Sequence, residues 1–437
     1  MTMTKAAEHK QPLLKASLEG LANPPPALFP QWLLHQKENA ATKICERGLP
    51  RPKEEAWRSA PLGALVSVPF APVSGNRDQA GFVLSAAVRE DANSLGIEPI
   101  VLLDGQRLNA ACSGIAAIPE GLAFHFGRVA SLDVPWVALN TAFVSDPVWL
   151  ALDAKDAGPH IAYVVHARAR GQEPTMMHDR ITISLAPGSR WTVIEHFVGQ
   201  PPPAHALLCA NAVTEVIMAP EAELEHVRIY EGTARDYTLH HVAVRQELSS
   251  RYSSRTLSVS GALRREDVMV LLADQQSTCS LEGLYVVNNA DFSGHYTQIT
   301  HANLHTQSHQ HYRGVLGQKG VAVFDGTVAI KQDAQDSHAH QENRNLLLSP
   351  DAVVHTKPQL KIDADNVTCS HAATVGHLND EQLFYLRARG IGPSEAKSML
   401  ILAFLKELTA GSNPESLRKC LEKKVAFALR PEIQGPS

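Results

Sequence analysis

Between about residues 160 and 371 the sequence breaks into many short, alternating apolar stretches, and no other feature narrows the fold as much. Residues 161–166, 181–185 and 191–197 come first, then 212–218, 224–230 and 239–244. Residues 252–259, 268–272, 284–287 and 321–324 continue the series. Most are a few residues long, with Gly, Pro, Asn or Asp between them, which is the chemistry of strands and turns. Similar turns recur before some of them: Ala186-Pro187-Gly188-Ser189, Ala219-Pro220-Glu221-Ala222 and Ser349-Pro350-Asp351-Ala352. Recurrent turns ahead of similar strands are what stacked β-coils produce. A β-sandwich also needs many short strands, but the run has no obvious Asn-Gly or Gly-Gly hairpin turn. A mainly β solenoid is therefore favoured, with the sandwich as its alternative.

The flanks differ in pattern. Residues 1–75 read as an N-terminal helical region in which Trp32, Leu33, Gln36, Ala40 and Ile44 recur at helical spacing and Gly48 offers a C-cap. Pro24-Pro25-Pro26 marks a break before that helix, and the turn 48–58 leads to Trp57, a packing anchor. Residues 76–159 form a mixed lead-in, with a strand at 99–105 running into an Asp104-Gly105 turn and a helix around 138–143. The β core is expected over 160–374. Residues 375–437 read as a C-terminal helical region of three helices. The first, 380–389, ends at Gly390; the second, 393–408, carries Ala396, Met399, Leu400, Ala403, Phe404 and Leu408 on one face. The third, 414–429, carries Leu417, Leu421, Val425 and Ala428. Burying such faces stabilises by about 1.5–3 kcal/mol per large side chain, inside the fold or against a partner.

Composition excludes several classes. A formal charge of −5 over 437 residues argues against nucleic-acid binding. The apolar runs fall far short of the roughly 20 residues of a membrane span, and the N-terminus has no apolar signal region, so a cytosolic protein is expected. The six cysteines, Cys45, Cys112, Cys209, Cys279, Cys369 and Cys420, stand singly, and no C-x-x-C motif encodes a structural zinc or self-contained Fe–S site. There is no G-x-x-x-x-G-K-[ST] loop, no G-x-S-x-G elbow and no H-E-x-x-H. Acidic pairs such as Asp333 and Asp336 are loop-like and match a glycosidase dyad poorly.

Two groups of soft or borderline metal ligands remain. Cys369 and His371 stand two apart after an alternating run, and in a strand that spacing puts both side chains on one face. Histidines crowd at His295, His301, His305, His309 and His311, and again at His338 and His340. Read as one strand, His301, His305 and His309 form a ladder, either a metal site or a polar solvent-facing row.

The later motifs point further. Tyr312-Arg313-Gly314-Val315-Leu316, Val323-Phe324-Asp325-Gly326 and Asn343-Arg344-Asn345-Leu346-Leu347-Leu348-Ser349 are followed by Lys357-Pro358-Gln359-Leu360 and Cys369-Ser370-His371. Asp380-Glu381, Leu383-Phe384-Tyr385-Leu386 and Arg389-Gly390 close the series, and Gly48, Pro50, Lys53, Glu54, Glu55, Trp57 and Arg58 form a matching N-terminal pattern. Over about 48–408 the chain resembles the SufB/SufD family of Fe–S cluster assembly proteins, and its C-x-H arrangement is similar to the SufD branch. The resemblance implies a right-handed parallel β-helix flanked by helical regions, in a cytosolic complex with a SufB-like paralogue and a SufC-like ABC ATPase. It implies a scaffold subunit rather than an enzyme, pairing edge to edge through its last coils. The same edge would let it pair with itself when the paralogue is absent.

By the same resemblance Cys369 and His371 face the paralogue and serve a nascent Fe–S cluster, His371 foremost. No cofactor is expected to be held tightly by this chain alone, only a transient cluster or iron shared with SufB. Phe384, Tyr385, Arg387, Met399 and Phe404 are the expected partner-binding residues on the helices that dock the ATPase. Ala372 stands where the family has Gly after His371, and His338 and His340 fall outside the pattern. Two competing readings are a stand-alone β-helix enzyme using His301, His305 and His309, and a SufB-type scaffold. No hexapeptide repeat or clustered carboxylates support the first. Against the second stand Cys369-x-His371 and the absence of an N-terminal cysteine cluster.

Overall fold

The computed structural model describes residues 12–22, 29–73, 82–108, 126–154, 156, 158, 160–168, 173–199, 207–259, 261–409 and 415–429. Cys112 and the Pro24-Pro25-Pro26 break lie outside them. Among the described residues five α-helices precede the main sheets: α1 (Pro12–Ala22), α2 (Gln31–Arg47), α3 (Leu62–Val66), α4 (Ala86–Leu95) and α5 (Pro135–Phe143). Short strands β1 (Ala71–Pro72), β2 (Ile100–Leu103), β3 (Gln106–Arg107), β4 (Val148–Leu152) and β6 (Thr175–Met177) mingle with β5 (Ile161–Ala167), β7 (Arg180–Leu185) and β8 (Arg190–Phe197). Longer strands follow: β9 (Leu208–Met218), β10 (Glu223–Glu231), β11 (Asp236–Gln246), β12 (Arg251–Val259), β13 (Leu263–Leu272) and β14 (Thr278–Val287). The last six are β15 (Phe292–His301), β16 (Gln307–Leu316), β17 (Val321–Ile330), β18 (Ser337–Leu347), β19 (Val353–Ile362) and β20 (Val367–Gly376). Helices α6 (Asp380–Ala388), α7 (Pro393–Thr409) and α8 (Glu415–Ala428) follow the last strand.

From β8 onward successive strands alternate between two parallel sheets. Cys209 pairs with Tyr237, Tyr237 with Leu263, Leu263 with Phe292, Phe292 with Val321 and Val321 with Val353. One column of side chains thus recurs at every second strand, a repeat of roughly 30 residues and typical of a solenoid. The fold is a parallel β-helix, not a sandwich; the sole antiparallel pair among the described strands is the Asp104-Gly105 hairpin joining β2 and β3. Because β2 and β4 pair with β5 and β7, the sheets begin before residue 160.

One corner explains why consecutive strands change sheet. Gly188, Glu221, Ser249, Gln276, His305 and Asp336 all have positive φ and occupy the same place in successive turns. The backbone N–H of each of the first five donates to the carbonyl of Pro220, Leu248, Gln275, Leu304 and Gln335 respectively, one coil onward. Next in the chain come fully buried Ser189, Ala222, Ser250, Ser277, Thr306 and Ser337. The turns at 186–189 and 219–222 belong to this stack; the one at 349–352 lies on another corner, between β18 and β19.

The lumen is filled by Val216, Val242, Val244, Val268, Val270 and Ile299, and further along by Tyr285, Tyr312 and Phe324. Outside one sheet, α4, α7 and α8 cover Val227, Leu257, Leu284 and Val315, using Ala92, Ile401, Leu405, Leu417, Leu421 and Val425. Lys424 ties α8 to Asp91 at 2.9 Å and Glu231 at 3.1 Å. Outside the other sheet lie Leu13, Ile44, Leu62 and Trp57 over Leu239, Leu263 and Phe292. Trp57 is the anchor expected: Arg265 stacks 3.8 Å from its ring. No helix among the described residues is long and apolar enough to cross a membrane.

Candidate functional site at the open end

Among the described strands the last coil, β19 and β20, pairs on one side only: β19 with β17 and β20 with β18. The far edge of each strand therefore presents unpaired N–H and C=O groups, a template for another strand. On β20, Cys369 stands beside Ala339 and His371 beside Gln341, both buried on β18. Side chains beside one another in a sheet project the same way, so Cys369 and His371 share the lumen-facing side. Because no further coil covers them, the face is open there.

The two ends of that face differ. Cys369 packs against Val328, Ile330, Ala339 and Ala364, and burial pushes its thiol pKa up, partly opposed by a backbone hydrogen bond with Ala339. His371 is exposed. Ala372 is absent from the residues with positive φ, so the strand does not require a glycine there. Among the described residues no three His, Cys, Asp or Glu side chains converge to hold a metal.

The His301–His305–His309 ladder is not formed. His301 is fully buried at the end of β15, its ring bonded to Thr306 and Ser308 at 2.8 Å, and burial lowers its pKa to about 4. His305 is the left-handed residue of a corner turn, and His309 lies outside the sheet on β16. The positive φ of His305 breaks the period-2 pattern on which the ladder depended.

The C-terminal residues also divide. Asn379 caps α6, its side chain accepting from the N–H groups of Glu381 and Gln382, and Asp380 and Glu381 suit the positive end of the helix. Phe384 is 72% exposed, Tyr385 58% and Met399 45%, and Arg387 is exposed too. Phe404 differs: it is partly buried against the sheet, with the Arg313 guanidinium 5.3 Å from its ring and bonded to its carbonyl. Phe404 is thus less accessible to a partner than Phe384, Tyr385 and Met399. The inward stripe of α7 is Ala396, Ile401 and Leu405, which leaves Met399 and Ala403 outside.

A second polar site went unforeseen. Inside the earlier coils the fully buried Glu195 accepts from His226 at 2.7 Å and from Thr214 at 2.9 Å. His166 bridges Glu195 and Asp179 at 3.1 and 2.6 Å. Burial opposes charge on His166, but the two carboxylates outweigh it and raise its pKa to about 9. Apart from Asp179, which lies between β6 and β7, these residues sit on strands read only for their apolar members.

The family model for "SUF system FeS cluster assembly, SufBD core domain" matches residues 166–404. The chain belongs to the SufBD family. The iron-sulfur cluster assembly protein SufD of Escherichia coli K12 is 28% identical over 403 residues, covering 90% of this chain and 92% of that protein. A SufBD family protein of Synechocystis is 25% identical, covering 89% and 90% respectively. SufD of Bacillus subtilis is 28% identical over 66% of each chain. Membership places the chain in Fe–S cluster assembly by the SUF system.

Proposed function

We propose that the chain is the SufD-type, non-catalytic subunit of a cytoplasmic SUF scaffold. It pairs through the free edges of β19 and β20 with a SufB-like paralogue and docks a SufC-like ATPase on its C-terminal helices. A nascent Fe–S cluster, the cargo of the complex, is held at that interface with His371 and Cys369 among its ligands. The observation that carries this reading is the position of the pair: one lumen-facing side, on the C-terminal coil of the described solenoid, where β19 and β20 each pair with a strand on one side. Two donors make half a site, and a thiolate and an imidazole are both known cluster ligands. His371 is the more accessible donor, whereas the Cys369 thiol is held protonated by burial until a metal or base displaces its proton. The stand-alone enzyme loses its main support with the dissolved histidine ladder.

The test is His371→Ala co-expressed with the two partners, followed by iron and sulfide analysis of the purified complex. The expected result is a complex of normal composition with reduced cluster content. Undiminished iron and sulfide would reject the role of His371.

A further inference from the structure

The histidines that fail to make the expected ladder make another arrangement. His309 and His311 alternate along the outer face of β16, and His338 and His340 along that of β18. His309 is directly beside His340, and His311 beside Glu342, with Glu282 of β14 on its other side. The rings of His311 and His340 are 5.4 Å apart, centre to centre. His340 Nδ1 is 2.8 Å from the Ser370 hydroxyl on β20, and His311 Nδ1 is 4.0 Å from a Glu342 oxygen. The neighbouring rows of this face are built differently: Arg255 pairs there with Glu225 and Glu282 at 3.1 and 2.7 Å.

We propose that His309, His311, His338 and His340 form a surface site for one divalent transition-metal ion of borderline softness, with Glu342 as an adjoining carboxylate. Imidazole suits zinc, nickel, cobalt and copper. Two rings bound to one ion at about 2.0–2.1 Å from nitrogen to metal stand about 5 Å apart between centres, close to the His311–His340 separation. No three of these donors converge as the rings lie. All four side chains reach solvent, so rotation about χ1 and χ2 is open to them. The site is on the outer face of the sheet, whereas Cys369 and His371 look into the lumen. It does not depend on the function proposed above.

The test uses the full-length, tag-free chain titrated with Zn²⁺ alone by calorimetry, and with Co²⁺ alone by visible absorption. Three proteins are compared: wild type, His309→Ala/His340→Ala, and Cys369→Ser/His371→Ala. The expected result is one equivalent bound by wild type and by the Cys369/His371 variant. The His309/His340 variant should bind at least about tenfold more weakly, since even the loss of an outer partner costs that much. Equal melting curves without metal establish that the exposed substitutions leave the fold intact. No stoichiometric binding by wild type, unchanged affinity in the His309/His340 variant, or loss only in the Cys369/His371 variant would each overturn the site.

Discussion

The ring of Tyr285 lies over Gly314 on the neighbouring strand, and Tyr312 lies over Gly283 in return. A Cβ on Gly314 would come within 2.1 Å of the Tyr285 ring, and one on Gly283 within 2.1 Å of Tyr312. The Tyr285 hydroxyl donates to Asn345, and Asn343 donates to that hydroxyl at 3.0 Å. Gly314→Ala is therefore expected to push the ring aside and cost about 1–3 kcal/mol, the usual range for overpacking a core. Gly376→Ala, where a Cβ would meet nothing within 4 Å, is the control. Chemical denaturation of both variants checks the contrast.

Trp57 joins the N-terminal helical region to the solenoid. Arg265 lies between it and Tyr296, 3.8 and 3.6 Å from the two rings, and donates to the Ala56 carbonyl at 2.5 Å. Trp57→Ala should cost about 3–5 kcal/mol, as large aromatic truncations do. Amide hydrogen exchange should rise first in α2 and α3, ahead of the central coils. Uniform exchange along the chain would mean that Trp57 has no local anchoring role.

How much could be read from residues alone depends on what fills the lumen. The coils up to β14 put many Val, Ile and Leu residues inside, so parts of their strands are visible, but β13 is foreseen only over 268–272, β14 only over 284–287, and β4 is missed. In β16 and β18 the fully buried positions include Ser308, Gln310, Gln341 and Asn343, and polar residues face outward too. Polar inside and polar outside erase the period, which is why these strands were hard to delimit. The repeat itself rests on a four-residue turn whose positive-φ position is filled by Gly, Glu, Ser, Gln, His and Asp, a set with no common side chain. The shared face of Cys369 and His371 follows from spacing alone. That the face is open does not, because it depends on which coil is last.

The exposed surface of α6 and the first half of α7 separates docking from folding. Phe384→Asp and Tyr385→Asp remove apolar area already in water and should leave the melting temperature within about 2–4 °C of wild type. If these side chains bind the ATPase, both should abolish its co-purification. Phe404→Asp should act differently, lowering the melting temperature by placing a carboxylate in the half-buried contact between α7 and β16. Retained ATPase binding by the Phe384 and Tyr385 variants would move the docking face elsewhere.

His166 should give the fold a pH dependence of definite sign. Its folded pKa of about 9 is above the ordinary value of about 6.5, so the folded chain binds its proton more tightly than the unfolded one. That stabilisation is complete below pH 6.5 and is lost as pH rises through 9. Glu195, held well below its usual pKa despite burial by His240, His166 and His226, acts in the opposite range. Its stabilisation is present above its unfolded pKa of about 4.5 and is lost as pH falls toward its folded value. Lys37, lowered to about 8 by burial, opposes His166 only above pH 8. The Lys37→Met variant removes that opposing contribution and should lose stability from about pH 7.5 to 9 in denaturant titrations. That window is above the range in which the buried His178, His240, His241 and His301, lowered by burial, add stability with rising pH. A flat profile across that window would mean that His166 is neutral between its two carboxylates.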